Sequence, residues 1–383
     1  MSTIHWCGTG LSAIPGLRSL IQKGRSVVVW NRTTAKAQEA LGDLSADIRA
    51  FDMDSLNDNL NAGDILVSML PGDWHVPLAQ ACLAKGAHFC SSSYIAPEMK
   101  ALDADFKAAG LVSLNEVGLD PGIDHLMAHW LVADYRASAA FSNDNALSFI
   151  SYCGGVPKHV NDFRYKFSWS PLGVLKALRS PSKSIRDFQP LDVARPWDAI
   201  SSYSAPIRRP ESFEVYPNRD SLPFMAEYGF DSDWRVKEFV RGTLRLNGWA
   251  SAWSEVFAEI ETLEGAAGDA RLAQMSDQFW REHAYDPGEP DRVVLCVGLR
   301  AEDQAGEAVY EKTYAMDAWG DDSATAMARL VSGTVELGVE AMLAGQLGAG
   351  VQAAPGDLGL VNAWMARIDQ LAQEVDVVDH LAA

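Results

Sequence analysis

Thr3-Ile-His-Trp-Cys-Gly-Thr-Gly-Leu-Ser-Ala13 opens the chain as a short apolar strand, Thr3 to Cys7, that runs straight into Gly8-x-Gly10-x-x-Ala13. An apolar stripe at Leu11, Ile14, Leu17, Leu20 and Ile21 follows at helical spacing. In a strand-turn-helix of this kind Gly8 permits the tight turn, Gly10 lets the backbone approach a pyrophosphate, and Ala13 lets helix and sheet come close. The first helical turn then aims its unpaired N–H groups at the phosphates. Alone the motif is weak. Its context strengthens it, because a second strand, Ser26 to Trp30, arrives about 20 residues later, where the residue that reads the ribose belongs.

At that place stand Asn31, Arg32 and Thr33, with no acid. An Asp or Glu would bond the ribose hydroxyls of NAD, whereas the Arg32 guanidinium and the Thr33 hydroxyl suit a 2′-phosphate. NADP is therefore the expected cofactor, with NAD possible. The competing reading makes Arg32 a solvated residue at a helix start, yet a cation at the positive end of a helix is unfavourable without an anion to bind. Gly8, Gly10, Leu11, Asn31, Arg32, Thr33, Leu70 and Pro71 make up the expected cofactor site.

Alternation continues with strands at Ile48 to Asp52, Asp64 to Met69, Ala87 to Ser91 and Leu111 to Leu114, and helices near 34–41, 73–85 and 97–109. Parallel βαβ repetition is the economical topology. Two strand ends, Ser68-Met-Leu-Pro-Gly72 and Ser91-Ser-Ser-Tyr94, read as walls of a site, since ligands collect outside the carboxyl ends of such strands. Tyr94 is either a hydroxyl donor to substrate or a capped core tyrosine. The last strand runs into Asn115-Glu-Val-Gly-Leu-Asp-Pro-Gly-Ile-Asp-His-Leu-Met-Ala128, a hinge that opens a new helix at Ile123. Asp120 and Asp124 stand there as site acids or as N-cap acids complementing the helix dipole. Asp120, in its constrained Gly-Leu-Asp-Pro-Gly setting, is the better candidate for a site acid, and Asp124 is as readily an N-cap.

The 383 residues are 48% apolar and 22% charged, which suits two or three globular domains. A formal net charge of −19 argues against a nucleic-acid or anionic-membrane surface. Five scattered cysteines without a C-x-x-C pair fit reduced thiols in a cytoplasm and imply no metal site. No leader and no apolar stretch near ~20 residues is present, so no membrane association is expected.

From Asn145 longer strands begin. Ala146 to Cys153 ends in Gly154-Gly155, and Lys158 to Trp169 reads as a further strand leading to a helix near Pro171. If extended, that run puts Arg164, Lys166, Ser168 and Ser170 on one side, a pattern suited to an anionic organic ligand. Between Glu238 and Leu246 the alternation gives Phe239, Arg241, Thr243 and Arg245 a common face, with the two arginines about 13 Å apart. Spaced guanidiniums fit a long substrate with separate carboxylates, and salt bridging within this acid-rich chain is the plainer alternative. Residues 250 to 285 look helical; Arg292 to Arg300 and Ala308 to Ala315 look like strands. Ala324 to Leu343 is a helix rich in small residues, expected to pack closely on another element.

Several separated stretches resemble the saccharopine dehydrogenase family, in its glutamate-forming branch: Gly8-Thr-Gly10 with Pro15, Ser93-Tyr-Ile-Ala-Pro97, Asn115 to His125, Ser151-Tyr-Cys-Gly-Gly155, Tyr165-Lys-Phe-Ser-Trp-Ser-Pro171, Tyr216-Pro-Asn-Arg-Asp-Ser221, Arg241-Gly-Thr-Leu-Arg245 and Met327 to Leu343. The resemblance implies an α/β fold: a Rossmann-type parallel sheet domain plus a second α/β substrate-binding and dimerisation domain with a small helical insert. The boundaries expected are 1–127, completed by about 323–383, for the first domain; 128–250 and 290–322 for the second; and 251–289 for the insert. It also implies a homodimer that oxidises the secondary amine of saccharopine with NADP or NAD to an imine, which is hydrolysed to glutamate and aminoadipate semialdehyde. Family positions for proton transfer map to Tyr94, Asp120 and Cys153; Lys166, Ser168, Arg219, Arg241 and Arg245 would hold the carboxylated secondary amine. Two departures, Val156-Pro-Lys-His-Val160 and Leu172, bear on the substrate mouth. They leave open a carboxylated polyamine, as handled by carboxynorspermidine-forming relatives. A non-catalytic sensor of NADP is the alternative from another class.

Overall fold

The alternation of apolar runs and helical stripes folds into two sheets, described by a computed structural model over residues 2–382. In chain order the strands are β1 (Ile4–Cys7), β2 (Val27–Asn31), β3 (Asp47–Ala50), β4 (Ile65–Ser68), β5 (His88–Ser91), β6 (Val112–Leu114), β7 (Ala146–Pro157), β8 (Ser182–Arg186), β9 (Gln189–Val193), β10 (Ser201–Ala205), β11 (Glu211–Pro217), β12 (Arg235–Leu246), β13 (Asp291–Glu302), β14 (Ala308–Trp319), β15 (Gly350–Gln352) and β16 (Glu374–Asp379). One unit comprises Met1–Leu126 with Ala328–Leu371, the other Met127–Met327 with Ala372–Ala383.

The first unit is built on a seven-stranded sheet in the order β15-β6-β5-β4-β1-β2-β3, parallel at every pairing. β1 and β4 are buried at all four positions, as expected of central strands covered on both faces. Trp30, Leu66, Phe89 and Phe106 form part of the core beneath them. The expected close approach of the small-residue helix is realised by Ala326–Leu343. A Cβ added to Gly16 on the first helix would lie 2.0 Å from the Ser332 carbonyl oxygen, and the Gly16 N–H donates to Ser332 Oγ at 2.9 Å. Only glycine allows that contact. Lys23 to Glu336 and Arg25 to Glu340 ion pairs flank it.

The second unit carries a mixed sheet in the order β10-β11-β12-β7-β13-β14-β16, with β8 and β9 attached beside β12. β7 and β12 run parallel, and the remaining pairings are antiparallel. The alternation read between Glu238 and Leu246 sorts β12 into two buried faces. Val240, Leu244 and Leu246 join Phe213, Val215, Val294 and Cys296 on one side. The helices expected between 250 and 285 form at Trp249–Ala252, Ser254–Glu261 and Gly265–His283, and bury Trp249, Trp253, Phe257, Leu272 and Phe279 with Tyr165 and Phe167. Each such side chain contributes roughly 1.5–3 kcal/mol by leaving water.

Two expectations need correction. Lys158 to Trp169 is a loop rather than a strand: Arg164 has φ of +57°, and only Phe167 makes a bridge, to Ala284. Tyr165 and Phe167 alternate inward, but they plug the aromatic core as a loop, so the common side inferred for Arg164, Lys166, Ser168 and Ser170 does not exist as a strand face. The tail also divides. β15 pairs with β6 of the first sheet, as anticipated, whereas β16 pairs with β14 of the second. Its Glu-Val-Asp-Val-Val-Asp run finds an open sheet edge there.

Candidate active site

In the first unit the glycine turn follows β1 directly. Gly8 has φ of +102°, and a Cβ there would meet the Met69 carbonyl oxygen at 2.9 Å and Leu70 at 3.2 Å. Gly10 has no atom within 4 Å of where its Cβ would be, so the turn is open on the side a pyrophosphate would occupy. Leu11, 50% exposed, and Pro71 rim that opening. The Thr9 N–H donates to Asn31 Oδ1 at 3.3 Å while Asn31 Nδ2 donates to the Thr33 carbonyl at 2.8 Å, which ties the glycine turn to the end of β2. Thr9 Oγ1 is buried with no hydrogen-bond partner among the described residues, a polar atom left for a ligand. Arg32 is exposed, and no ion pair to it forms among the described residues. Thr33 is the N-cap of Thr34–Leu41, but its hydroxyl makes no capping bond. A dinucleotide with a 2′-phosphate fits these residues.

Phe51 and Trp74 belong to the same region and escaped the sequence reading. The Phe51 N–H donates to the Asn31 carbonyl at 3.2 Å, and the Phe51 and Trp74 rings meet edge to face at 5.1 Å, with Trp74 partly exposed. An apolar residue just past β3 and a tryptophan just past β4 are the signal that was available.

The turn from Asn115 to Ile123 is stitched to the end of β5. Ser91 Oγ donates to Asn115 Oδ1 at 3.1 Å, and the Glu116 N–H donates to the Ser93 carbonyl at 3.1 Å. Glu116, held at φ of +55°, accepts from the Ile95 N–H at 2.7 Å and lies 2.9 Å from His125 Nε2. Asp124 Oδ1 accepts from the Gly122 N–H at 2.7 Å, inside the turn. Asp124 and His125 are therefore fully buried parts of the turn. The consequence is at Tyr94, whose hydroxyl donates to Asp120 Oδ1 at 3.1 Å, with both residues half-buried. The structure thus brings together two of the three expected proton-transfer residues.

The third, Cys153, lies buried on β7 in the second unit, beside Thr243 of β12 and Leu295 of β13. Arg241 neighbours Ser151 in the same register, so Ser151, Cys153, Arg241, Thr243 and Arg245 share one face. Ser168 reaches that face from its loop, with Oγ 3.5 Å from the Cβ position of Gly155. The Pro217–Ser221 turn clasps β12 at the same place: the Asn218 N–H donates to the Arg241 carbonyl at 2.9 Å, and the Arg241 N–H donates to Ser221 Oγ at 2.9 Å. Arg219, exposed and at φ of +57°, is carried on that turn. The Arg241 guanidinium lies 3.9 Å over the Phe224 ring.

The other two cations are engaged inside the second unit. Lys166 pairs with Glu289. Burial would raise the Glu289 carboxyl, but the Lys166 ammonium and the Asp286 N–H outweigh it and hold that carboxyl below its ordinary range. Arg245 is 5% exposed within an aromatic cage, 4.8 Å over Tyr165, 5.4 Å over Trp249 and 5.7 Å over Tyr216. Its Nη1 donates to the Leu244 carbonyl at 3.3 Å. The arginines alternate onto one face as read, but Arg245 points into packed rings.

All five cysteines are buried and none forms a disulfide. No helix among the described residues is long and apolar enough to cross a membrane, and no cluster of three metal-type ligands forms among them.

Residues 4–114 match the family model described as saccharopine dehydrogenase NADP binding domain, and residues 118–371 match that described as saccharopine dehydrogenase C-terminal domain. The chain is similar to saccharopine dehydrogenase (NADP+, L-glutamate-forming) of Pyricularia oryzae, 34% identical over 253 residues, which is 63% of this chain and 54% of that protein. It is similar to alpha-aminoadipic semialdehyde synthase of Arabidopsis thaliana, 34% identical over 218 residues, which is 55% of this chain and 20% of that protein. The chain thus spans about half the length of the first of these relatives and less of the second. Among solved structures, apo saccharopine dehydrogenase (L-Glu forming) from Saccharomyces cerevisiae has a TM-score of 0.82 at 23% identity, covering 99% of this chain and all of that one. A homospermidine synthase from Legionella pneumophila, solved with NAD, has a TM-score of 0.64 at 9% identity over 99% and 91% of the two chains. At these identities the structural likeness is one of fold.

Proposed function

Because the chain belongs to the saccharopine dehydrogenase family, we propose that it is an NADP-linked oxidoreductase acting on the CH–NH bond of saccharopine, releasing glutamate and aminoadipate semialdehyde in lysine metabolism. The observation that carries this reading is the hydrogen bond from Tyr94 to Asp120 at the carboxyl-end loops of the cofactor sheet. Oxidation of a secondary amine needs a group that removes the amine proton, and hydrolysis of the resulting imine needs a proton taken from the attacking water and one given to the leaving nitrogen. A half-buried carboxylate with a phenol donating to it can do both.

NADP, when bound, supplies the hydride acceptor. Gly8, Gly10 and Leu11 would hold its pyrophosphate, Arg32 and Thr33 its 2′-phosphate, and Leu70 and Pro71 would line its path, with Asn31 bracing the turn; Phe51 and Trp74 offer its adenine an aromatic wall. In the chemical step Asp120 takes the proton of the substrate ammonium while Tyr94 steadies the carboxylate by its hydrogen bond. Asp120 then releases that proton to solvent, takes the proton of the water that adds to the imine carbon, and gives it to the leaving nitrogen. Cys153, buried on β7, serves at most as a weak donor, and imine chemistry needs no thiol nucleophile.

Arg219, on the Pro217–Ser221 turn, and Arg241, on the part of β12 that the turn clasps, would hold substrate carboxylates, with Ser168 as a hydroxyl donor on the Arg241 face. Lys166 would join them only by exchanging Glu289 for a substrate carboxylate, and Arg245 would shape the site from below. Five buried thiols without a disulfide support a cytoplasmic location. The homodimer implied by the resemblance is tested by light scattering of the purified protein. For the activity, reduced-nicotinamide absorbance should rise when the protein meets saccharopine and NADP, and silence with both NADP and NAD contradicts the proposal. Running the reductive direction with a polyamine and an aldehyde separates the carboxynorspermidine-type reaction.

A further inference from the structure

His75 opens the helix His75–Lys85 and is only 7% exposed. A histidine is an expensive choice for such a place, because a buried ring nitrogen without a partner costs its full desolvation. Here both nitrogens have partners. Nδ1 lies 2.9 Å from Ser68 Oγ, the last residue of β4, and Nε2 lies 2.8 Å from Ser93 Oγ, two residues beyond β5. The edge of the Phe89 ring supports the imidazole at a centroid distance of 6.3 Å.

No carboxylate pairs with His75 among the described residues, and Asp73 acts on it only from a distance. Burial therefore dominates and pushes its pKa down to about 4. At neutral pH one ring nitrogen donates and the other accepts, and the two serine hydroxyls supply the matching acceptor and donor. The ring is a cross-link between the carboxyl ends of two adjacent parallel strands, which is where ligands bind in such a sheet.

What the cross-link holds is specific. Ser93 is fixed by its hydroxyl to His75 and by its carbonyl to the Glu116 N–H. The next residue is Tyr94, whose hydroxyl reaches Asp120. On the other side, Ser68 begins the Ser68–Gly72 wall that carries Leu70 and Pro71. We propose that His75 is a positioning residue for the Tyr94–Asp120 pair, fixing the Ser93 rotor and hence the backbone from which Tyr94 projects, relative to the wall of the cofactor turn. The inference rests on the proton-transfer role given to that pair above.

The test compares His75→Leu, His75→Gln and Ser93→Ala, each also in a Tyr94→Phe background, by kcat for saccharopine oxidation and by thermal unfolding. His75→Leu and Ser93→Ala should lower kcat on the order of tenfold or more, and His75→Gln, which keeps one donor and one acceptor, should recover part of that. In the Tyr94→Phe background the Ser93→Ala loss should shrink to less than about twofold, because the effect runs through Tyr94. A merely structural His75 would give the same loss in both backgrounds, and that result overturns the inference. If His75→Leu does not fold, Ser93→Ala removes only one hydroxyl and decides the matter. A wild-type protein inactive on saccharopine overturns this inference together with the proposed function; wild-type activity that survives both substitutions overturns this inference alone.

Discussion

At the scale of single residues, the proposed proton transfer rests on one contact, Tyr94 to Asp120 at 3.1 Å. Asp120→Asn keeps the shape and removes the base, so kcat should fall by about 10²-fold or more with folding unchanged. Asp120→Asn with full turnover across the pH range would make Asp120 a structural residue. Arg32 makes a separate prediction, because it is exposed with no ion pair among the described residues. Arg32→Ala should weaken NADP by at least about tenfold and leave NAD little changed, measured as the two Kd values; equal losses would contradict a 2′-phosphate contact. His75 ties residue chemistry to stability. Its folded pKa of about 4 lies below the ordinary 6.5, so between those values the unfolded chain binds a proton that the folded chain refuses. Stability from this residue is complete above about pH 6.5 and is lost as pH falls through 4, a contribution on the order of 3 kcal/mol. His5, His88 and His283 are lowered chiefly by burial and add in the same direction. The unfolding midpoint should therefore drop between pH 6.5 and 4, and His75→Gln should flatten that drop; an unchanged slope in the variant would assign it to other groups.

At the scale of elements, one close contact joins two helices of the first unit. Gly16 lets the Ile14–Gln22 helix lie against Ser332, so Gly16→Ala forces backbone apart and should cost about 2 kcal/mol or more in chemical denaturation. A loss below about 0.5 kcal/mol would mean the helices adjust freely. The central elements of this first sheet were legible because β2 and β4 are largely apolar runs, and because β1, the glycine turn and β2 occur at one spacing. The second unit was less so. β12 could be read, since Val240, Leu244 and Leu246 alternate with Arg241 and Arg245. The run from Lys158 to Trp169 misled because Tyr165 and Phe167 alternate like strand residues, while their burial comes from a loop plugged into Trp253 and Phe279. The β8 to β10 segment is polar on much of its length, and β16 is a short acidic edge strand, so neither carries the apolar period that reveals a strand.

At the scale of the whole molecule, the chain divides into a parallel-sheet unit that carries the nucleotide turn and the Tyr94–Asp120 pair, and a mixed-sheet unit that carries the cations. Of the site, the motif residues were legible from their types and order, but their engagement was not. Lys166 spends its charge on Glu289, and Arg245 is caged by rings, facts set by residues distant in sequence such as Glu289 and Tyr165 and by the neighbouring strand β11. Phe51, Trp74 and His75 went unread because each becomes significant only when neighbouring strand ends are brought side by side. The family models match an NADP binding domain over residues 4–114 of the first unit, and the proposal assigns the carboxylated amine to the second. The most direct test mixes the purified full chain with saccharopine and NADP and follows reduced-nicotinamide absorbance together with glutamate release. Equal amounts of reduced cofactor and glutamate are expected, both formed about 10²-fold or more slowly by Asp120→Asn; cofactor reduction without glutamate, or no reduction with either NADP or NAD, would contradict the proposed function.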